Sequence, residues 1–213
     1  MRATDMPISD GMAVDADYHA ELGRFFVEHV PARGKAGVLQ AYAAVRQLFY
    51  FSGPDRTPLA ALRSGSGACT AKHIILRDLL RRAGMRAEVE IVEGDFAAGI
   101  PLHSSQPDDL QEMIRQRGVT DFHCRVRLMR PEGDLRLDAT WPDDLAAYGF
   151  AVNRTWTGEG DTLQAIPDVV VRSSDEDVLG TKARLVAGLG EATKRRRLEF
   201  LRLLSGWIAQ IKQ

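Results

Sequence analysis

The chain has 213 residues, of which 45% are hydrophobic and 27% are charged, and this composition suits one globular domain or one domain with an appendage. The formal net charge of −1 gives no overall electrostatic reason to expect a nucleic acid or an acidic partner. Two cysteines make no disulfide framework, the acidic first residues do not read as a signal peptide, and no apolar run reaches a membrane span, so we expect a cytoplasmic protein without membrane or nucleic-acid partners.

The first half of the chain is predicted to be helical. Residues 1–16 are expected to form a loose tail. Apolar residues then recur at helical spacing in 18–30 and in 35–51, which predicts two helices. After a connector at 58–67, a third helix begins near Cys69 and ends in a basic last turn followed by a glycine.

The second half changes to the period of a sheet. Strands are predicted at 86–93, 122–130, 135–140 and 165–172, with a short helical insert at 108–117. Helices segregated from a mostly antiparallel sheet indicate an α+β domain, which we place at 17–174.

Residues 175–213 are predicted to form a helical appendage docked on that domain. An amphipathic stripe in 198–211 is expected to dock there, and an oligomer contact through this stripe is the alternative. The basic run Lys194-Arg195-Arg196-Arg197 just before the stripe is interpreted as a solvated helix face.

Cys69 is the first candidate for chemistry because a small-residue loop places it in or just before the first turn of its helix. Free backbone N–H groups and the positive end of the helix dipole favour a thiolate there. The alternative is a small buried cysteine. His73 lies four residues further on the same helix face, where it would tune the thiol, act as a second base or simply pack.

The hairpin formed by strands 122–130 and 135–140 supplies a candidate base and a candidate orienting carboxylate. His123 and Asp138 share its polar face, opposite the apolar residues. A histidine that takes the thiol proton and an aspartate that fixes its tautomer are what an activated nucleophile requires. The alternative is a surface His123, with Asp138 paired to a nearby arginine.

The register of this hairpin decides whether the two residues meet. The simplest pairing places Leu128 opposite Leu137 and His123 opposite Pro142. Asp138 would then lie about 13 Å along the strand from the position opposite His123. A bulge, or a turn centred nearer Arg130-Pro131, would bring them together.

Three segments resemble a known family. Gly-Ser-Gly-Ala-Cys69 heading a helix, Phe122-His123 opening a strand and Leu137-Asp138-Ala139-Thr140-Trp141 resemble, in this order, the cysteine, histidine and aspartate boxes of transglutaminase-like proteins. The resemblance covers roughly residues 40–142. The arylamine N-acetyltransferases share this papain-like arrangement and are an alternative.

The resemblance implies a papain-like α+β fold in which the cysteine-bearing helix packs on a mostly antiparallel sheet, with additional N- and C-terminal helices. It implies that Cys69 is the nucleophile, His123 the base and Asp138 the orienter. The implied activity is acyl transfer or amide or ester hydrolysis through a thioester, by a peptidase, amidase or transamidase without a cofactor. At the position of the family's oxyanion-hole side chain this chain has Arg63, and Gln47 is the nearby upstream glutamine.

Other residues near the three boxes are candidates for binding a peptide or small-molecule acyl substrate. Arg125, Arg127 and Arg136 share the polar hairpin face and would recognise a carboxylate or phosphate, unless they are simply solvated. Trp141 and the aromatic residues that follow it, Tyr148, Phe150 and Trp156, would line an acyl pocket or form a lid packed on the core.

Two other functions remain alternatives. One is a non-catalytic module on the same fold that binds a ligand or peptide. The other is a metal-binding protein that uses Cys69, His73 and His123 together with Asp138.

Overall fold

The computed structural model describes residues 9–211, with side chains described from residue 15 onward. The described chain is α+β and runs in the order α1 (Ser9–His29), α2 (Gly34–Gln47), β1 (Phe49–Tyr50), α3 (Pro58–Ser64), β2 (Ser66–Gly67), α4 (Cys69–Arg82), β3 (Arg86–Asp95), α5 (Asp108–Gln116), β4 (Thr120–Met129), β5 (Leu135–Leu137), β6 (Val170–Ser173), α6 (Val178–Ala187) and α7 (Glu191–Ile211). Two 3-10 helices, Phe96–Gly99 and Asp143–Tyr148, lie in the connections.

The N-terminal elements differ from the sequence prediction in their bounds. Helix α1 begins at Ser9, inside the segment 1–16 that the sequence predicts as a loose tail; the rest of that segment, residues 1–8, lies outside the described residues. Aspartates and a proline interrupt this segment, so the sequence shows no apolar run there that would predict a helix. Helix α2 ends at Gln47 because the next residues turn into the short strand β1.

A four-stranded antiparallel sheet, in the order β5-β4-β3-β6, forms the centre of the second half of the chain. Its longest pairing joins β3 and β4 over their whole length, from Arg86 opposite Met129 to Asp95 opposite Thr120. Strand β5 is shorter than predicted and ends at Leu137, and β6 begins at Val170 rather than near residue 165.

Helix α4 packs its apolar face on this sheet. Ile75, Leu76, Leu79 and Leu80 are fully buried, and they share one core with Cys124 and other inward residues of β3 and β4. Full burial of one such aliphatic side chain contributes about 1.5–3 kcal/mol, so this contact fixes where α4 begins relative to the sheet. The first turn of α4, with Cys69, is thereby held against the strand that carries His123.

The C-terminal helices pack on the sheet and on neighbouring helices: α6 contacts α4, β3 and β4, and α7 contacts α5 and β4. In α7 the buried stripe residues are Leu201, Leu204, Trp207 and Ile208, which share a second core with Phe96 and Trp141, whereas Leu198 is exposed. The basic run is not a uniform solvated face, because its last residue, Arg197, is buried. Within residues 9–211, none of the helices has the length and apolar character needed to cross a membrane.

Candidate active site

The loop before Cys69 lies close to α3 and β1, and small residues make this close packing possible. Gly65 ends α3 in the left-handed region at φ +67°, and Gly67 pairs in parallel with Tyr50. A Cβ at Gly67 would lie 2.8 Å from the Cβ of Ala61, so a larger residue would push the loop away from α3. The small residues therefore place Cys69 as the first residue of α4, where backbone N–H groups have no partner within the helix.

His123 and Asp138 form a buried hydrogen-bonded pair, as the polar hairpin face predicts. The Nε2 atom of His123 lies 2.8 Å from Oδ2 of Asp138, and both side chains are almost completely enclosed. Asp138 also accepts hydrogen bonds from the backbone N–H and the hydroxyl of Thr140, at 3.1 and 2.6 Å, and from the backbone N–H of Ala165 at 2.8 Å. With every carboxylate oxygen engaged, Asp138 holds the imidazole in one orientation.

The hairpin register differs from the simplest sequence pairing. Leu128 lies opposite Leu135, not Leu137, and Val126 takes the place opposite Leu137. The predicted pairing was therefore wrong by two residues. Because the shift is even, it keeps all the apolar residues on one face.

Strand β5 stops pairing with β4 after Leu137, one residue before Asp138. After Leu137, the backbone N–H of Asp138 donates to the hydroxyl of Thr162 at 2.7 Å instead of pairing with β4. Continued pairing would place Thr140, two residues away, opposite His123. Because the chain leaves the ladder after Leu137, the carboxylate of Asp138 can reach the imidazole of His123. A regular hairpin in the predicted register lacks this irregularity.

The pKa values of the site favour an ion pair between Cys69 and His123. Burial opposes the charge on His123, but the negative charges of Asp138 and Cys69 outweigh it and raise the pKa of His123 to about 10. Burial also opposes the charge on Asp138, yet the charge and hydrogen bond of His123 hold the pKa of Asp138 well below its usual range. The Nδ1 atom of His123 has no hydrogen-bond partner of regular geometry among the described residues, which leaves this nitrogen for the thiol.

The two buried cysteines, Cys69 and Cys124, have pKa values shifted in opposite directions. The neighbouring Cys124 thiol, together with the charges of Lys182 and His123, holds the pKa of Cys69 well below its usual range in spite of burial. The neighbouring Cys69, and then burial, raise the pKa of Cys124 well above its usual range, and the Cys124 thiol donates to the hydroxyl of Thr70 at 3.7 Å. Of the two sulfurs, Cys69 is therefore the one whose surroundings favour a thiolate.

His73 is a structural residue of the site. Its Nδ1 lies 2.7 Å from the carbonyl oxygen of Cys69, which can only accept, so Nδ1 carries the proton. Its Nε2 accepts from the backbone N–H of Ala139 at 2.9 Å. Both ring nitrogens therefore have hydrogen-bond partners, and Nε2 also lies 3.5 Å from Oδ1 of Asp138, so neither nitrogen is left free to take a thiol proton or to bind a metal ion.

Lys182 of α6 is a member of the site that the sequence analysis missed. Its ammonium lies 3.5 Å from the sulfur of Cys69 and donates to the hydroxyl of Thr70 at 2.9 Å. Burial opposes the ammonium charge, yet the negative charge of Cys69 raises the pKa of Lys182. A signal exists in the sequence, since Lys182 lies four residues from both Val178 and Val186 and thus on the apolar face of its helix.

The other candidate side chains lie away from the thiol or are already neutralised. Arg125 pairs with Glu90 at 2.8 Å, and Arg127 lies 3.2 Å from Glu88. Arg136 contributes its backbone N–H and carbonyl to the loop at 161–164.

Neither candidate oxyanion side chain is directed to the thiol. Arg63 pairs with Asp17 at 2.7 Å and Gln47 donates to Asp143 at 2.6 Å, in both cases on the exposed side of the molecule. The backbone N–H of Cys69, in the first turn of α4, is the remaining candidate for this donor.

The aromatic residues after Asp138 pack instead of lining an open acyl pocket. Trp141 is buried against Tyr50, Phe96 and Phe150. Trp156 stacks edge-on against Tyr42. Their rings thus support the loop that carries Asp138.

No group of three or more His, Cys, Asp or Glu residues among the described side chains is placed to hold a metal ion. A scan against profiles of known protein families matches none of them, and a search of curated protein sequences gives no significant match. The site geometry and the sequence motifs therefore carry the functional argument.

Proposed function

We propose that the protein is a cysteine-dependent enzyme of the transglutaminase-like, papain-like type. It transfers an acyl group, or hydrolyses an amide or ester, through a thioester on Cys69. The single observation that carries the proposal is the His123–Asp138 pair, with Nε2 of the imidazole held by the carboxylate and Nδ1 left for the thiol at the start of α4. Cys69 acts as nucleophile, His123 as acid and base, and Asp138 as orienter.

The reaction begins when the Cys69 thiolate attacks the carbonyl carbon and a carbon–sulfur bond forms. The π electron pair moves to the oxygen, where the backbone N–H of Cys69 stabilises the negative charge. Collapse of the adduct expels the leaving group, which takes the proton of His123 Nδ1. Water or an amine then attacks the thioester, gives a proton to His123 and releases the thiolate, which yields hydrolysis or transamidation respectively.

Lys182 supports the resting state in this scheme. An ammonium 3.5 Å from the sulfur favours the thiolate over the thiol. It acts on the nucleophile and is not needed for proton transfer, because His123 already holds the proton that the leaving group requires.

A second candidate function is a binding module without turnover. The observation that favours it is that Cys69 is only 5% exposed, with the side chain of Lys182 beside its sulfur. A substrate carbonyl has to displace this contact to react, whereas a ligand could be held next to it without reacting.

Alkylation by iodoacetamide at neutral pH, followed by peptide mass spectrometry, tests the nucleophile. We expect Cys69 to react much faster than Cys124 and the rate to fall in His123→Ala, because the thiolate loses its imidazolium partner. His19→Ala removes an exposed histidine of α1 and is the matched control, expected to react like the parent protein. Equal and slow reaction of both cysteines would refute the assignment.

A further inference from the structure

A cleft of about 520 Å³ lies beside Cys69, between the C-terminal helices and the start of α4. Four cationic side chains line it, those of Arg56, Lys182, Lys194 and Arg197, and none of its lining residues is acidic. The remaining wall is mostly apolar, so the cleft combines positive charge with an aliphatic surface.

Arg197 is the strongest sign that a ligand belongs here. The residue is 2% exposed, and its Nε donates to the buried carboxylate of Asp121. Its Nη2 has no hydrogen-bond partner among the described residues, although the atom is buried. Buried guanidinium donors usually have an acceptor, so this unpartnered Nη2 is available to donate to a bound anion.

Arg56 and Lys194 add positive charge that the protein does not consume. The Arg56 guanidinium donates to the carbonyl of Gly53 and the hydroxyl of Ser52, at 3.4 and 3.1 Å, both neutral acceptors. Lys194 pairs with Glu191 at 2.9 Å, but Glu191 is well exposed, and such surface pairs contribute little. Both cations are therefore available to a ligand at low cost.

The cleft and the thiol share a wall. Thr70 and Lys182 line the cleft, and the same Lys182 ammonium lies 3.5 Å from the sulfur of Cys69. An anion bound among the cationic side chains would thus be one side chain away from the nucleophile.

We infer that this cleft binds the anionic group, a carboxylate or a phosphate, of a small acyl substrate whose aliphatic part rests on Leu179 and Val186. Arg197 and Arg56 provide fork-shaped donors for the anion, and Lys194 provides charge at the rim. The role in substrate choice rests on the proposed function, whereas the binding of an anion does not.

Calorimetric titration of the full chain decides whether the anion site exists. Succinate and inorganic phosphate are the two probes, and they distinguish a carboxylate site from a phosphate site. We expect saturable binding of at least one probe. The affinity should fall about tenfold or more in Arg56→Gln/Lys194→Gln, because the cleft loses two positive charges that face the anion. Lys35→Gln/Arg115→Gln removes the same charge from exposed ion pairs elsewhere and should bind like the parent protein. Absence of saturable binding, or equal weakening in both double variants, overturns the inference.

Alkylation with a matched pair of reagents tests whether the bound anion lies beside the nucleophile. In iodoacetate and iodoacetamide the Cys69 sulfur displaces the same iodide, and only iodoacetate is anionic. We expect the ratio of the two rates at Cys69 to fall about fivefold or more in Arg56→Gln/Lys194→Gln and to stay unchanged in the control variant. An unchanged ratio in both variants overturns the inference. If Cys69 reacts with neither reagent, the proposed function fails, and calorimetry still decides the anion site.

Discussion

Replacing Lys182 by methionine removes an ammonium that lies 3.5 Å from the sulfur of Cys69 and retains much of the buried aliphatic side chain. The hydroxyl of Thr70 loses one donor in the same change. The perturbation therefore acts mainly on the balance between thiol and thiolate at Cys69.

The size of the effect follows from Coulomb's law. At this separation and an effective dielectric constant of about 20, two unit charges attract each other by about 5 kcal/mol. Relaxation and screening around the lost charge reduce this value, and His123 still favours the thiolate. We expect at least about 1.4 kcal/mol to remain, which lowers the thiolate fraction by up to about tenfold, the full factor applying at pH values where Cys69 is mostly protonated.

The assay is the rate of Cys69 alkylation by iodoacetamide, measured from about pH 4 to about pH 8. The parent protein should react at a nearly constant rate across the neutral range. In Lys182→Met, the pH below which the alkylation rate falls should be higher than in the parent protein. Lys35→Met, which removes an exposed lysine paired with Glu159, is the control and should follow the parent profile. An unchanged profile in Lys182→Met, or faster reaction at every pH because the side chain merely blocks the sulfur, would refute this reasoning.

Three further predictions concern residues that support Cys69, His123 and Asp138 or stabilise their arrangement. Lys72→Met leaves three buried carbonyls, at 2.7–3.2 Å from the ammonium, without their donor, and should lower the free energy of unfolding in urea by about 2–4 kcal/mol. Gly99→Ala would place a Cβ 1.7 Å from the carbonyl oxygen of Ala165, and the backbone N–H of Ala165 donates to the carboxylate of Asp138. This substitution should therefore displace Asp138 and slow alkylation of Cys69. Gly206→Ala is the control, because there is open space around Gly206, and it should leave the alkylation rate unchanged. The pKa of His123 is raised from 6.5 to about 10, so its stabilisation is complete below pH 6.5 and is lost as the pH rises through about 10. Urea midpoints of the parent protein and of His123→Ala should therefore converge at high pH, and a constant difference would contradict the ion pair.

Local patterns in the sequence were sufficient to identify Cys69, His123 and Asp138 as candidates. The helical period of α4 located the cysteine at a helix start, and alternation in the hairpin placed the other two residues on one face. The register was wrong because a two-residue slip conserves the alternation, and the side-chain pattern alone cannot detect it. The backbone bond from Asp138 to Thr162, which pulls β5 out of the ladder, depends on a loop far along the chain.

The cationic side of the site could not be read from local patterns. Lys182 and Arg197 lie on helices whose position over α4 is fixed only by tertiary packing. Arg197 lies four residues before Leu201 and is therefore on the apolar face of α7, which signals a buried charge but not its partner Asp121. A basic run next to an amphipathic stripe is solvated in most proteins, and here its last residue is the exception.

A burst experiment with p-nitrophenyl acetate tests whether Cys69 becomes acylated with the help of His123. We expect rapid release of about one equivalent of p-nitrophenolate per chain, with an acetyl group on Cys69 in the mass spectrum. The burst should vanish in Cys69→Ser and slow strongly in His123→Ala. If the folded parent protein releases no burst and carries no acetyl group on Cys69, Cys69 is not the nucleophile.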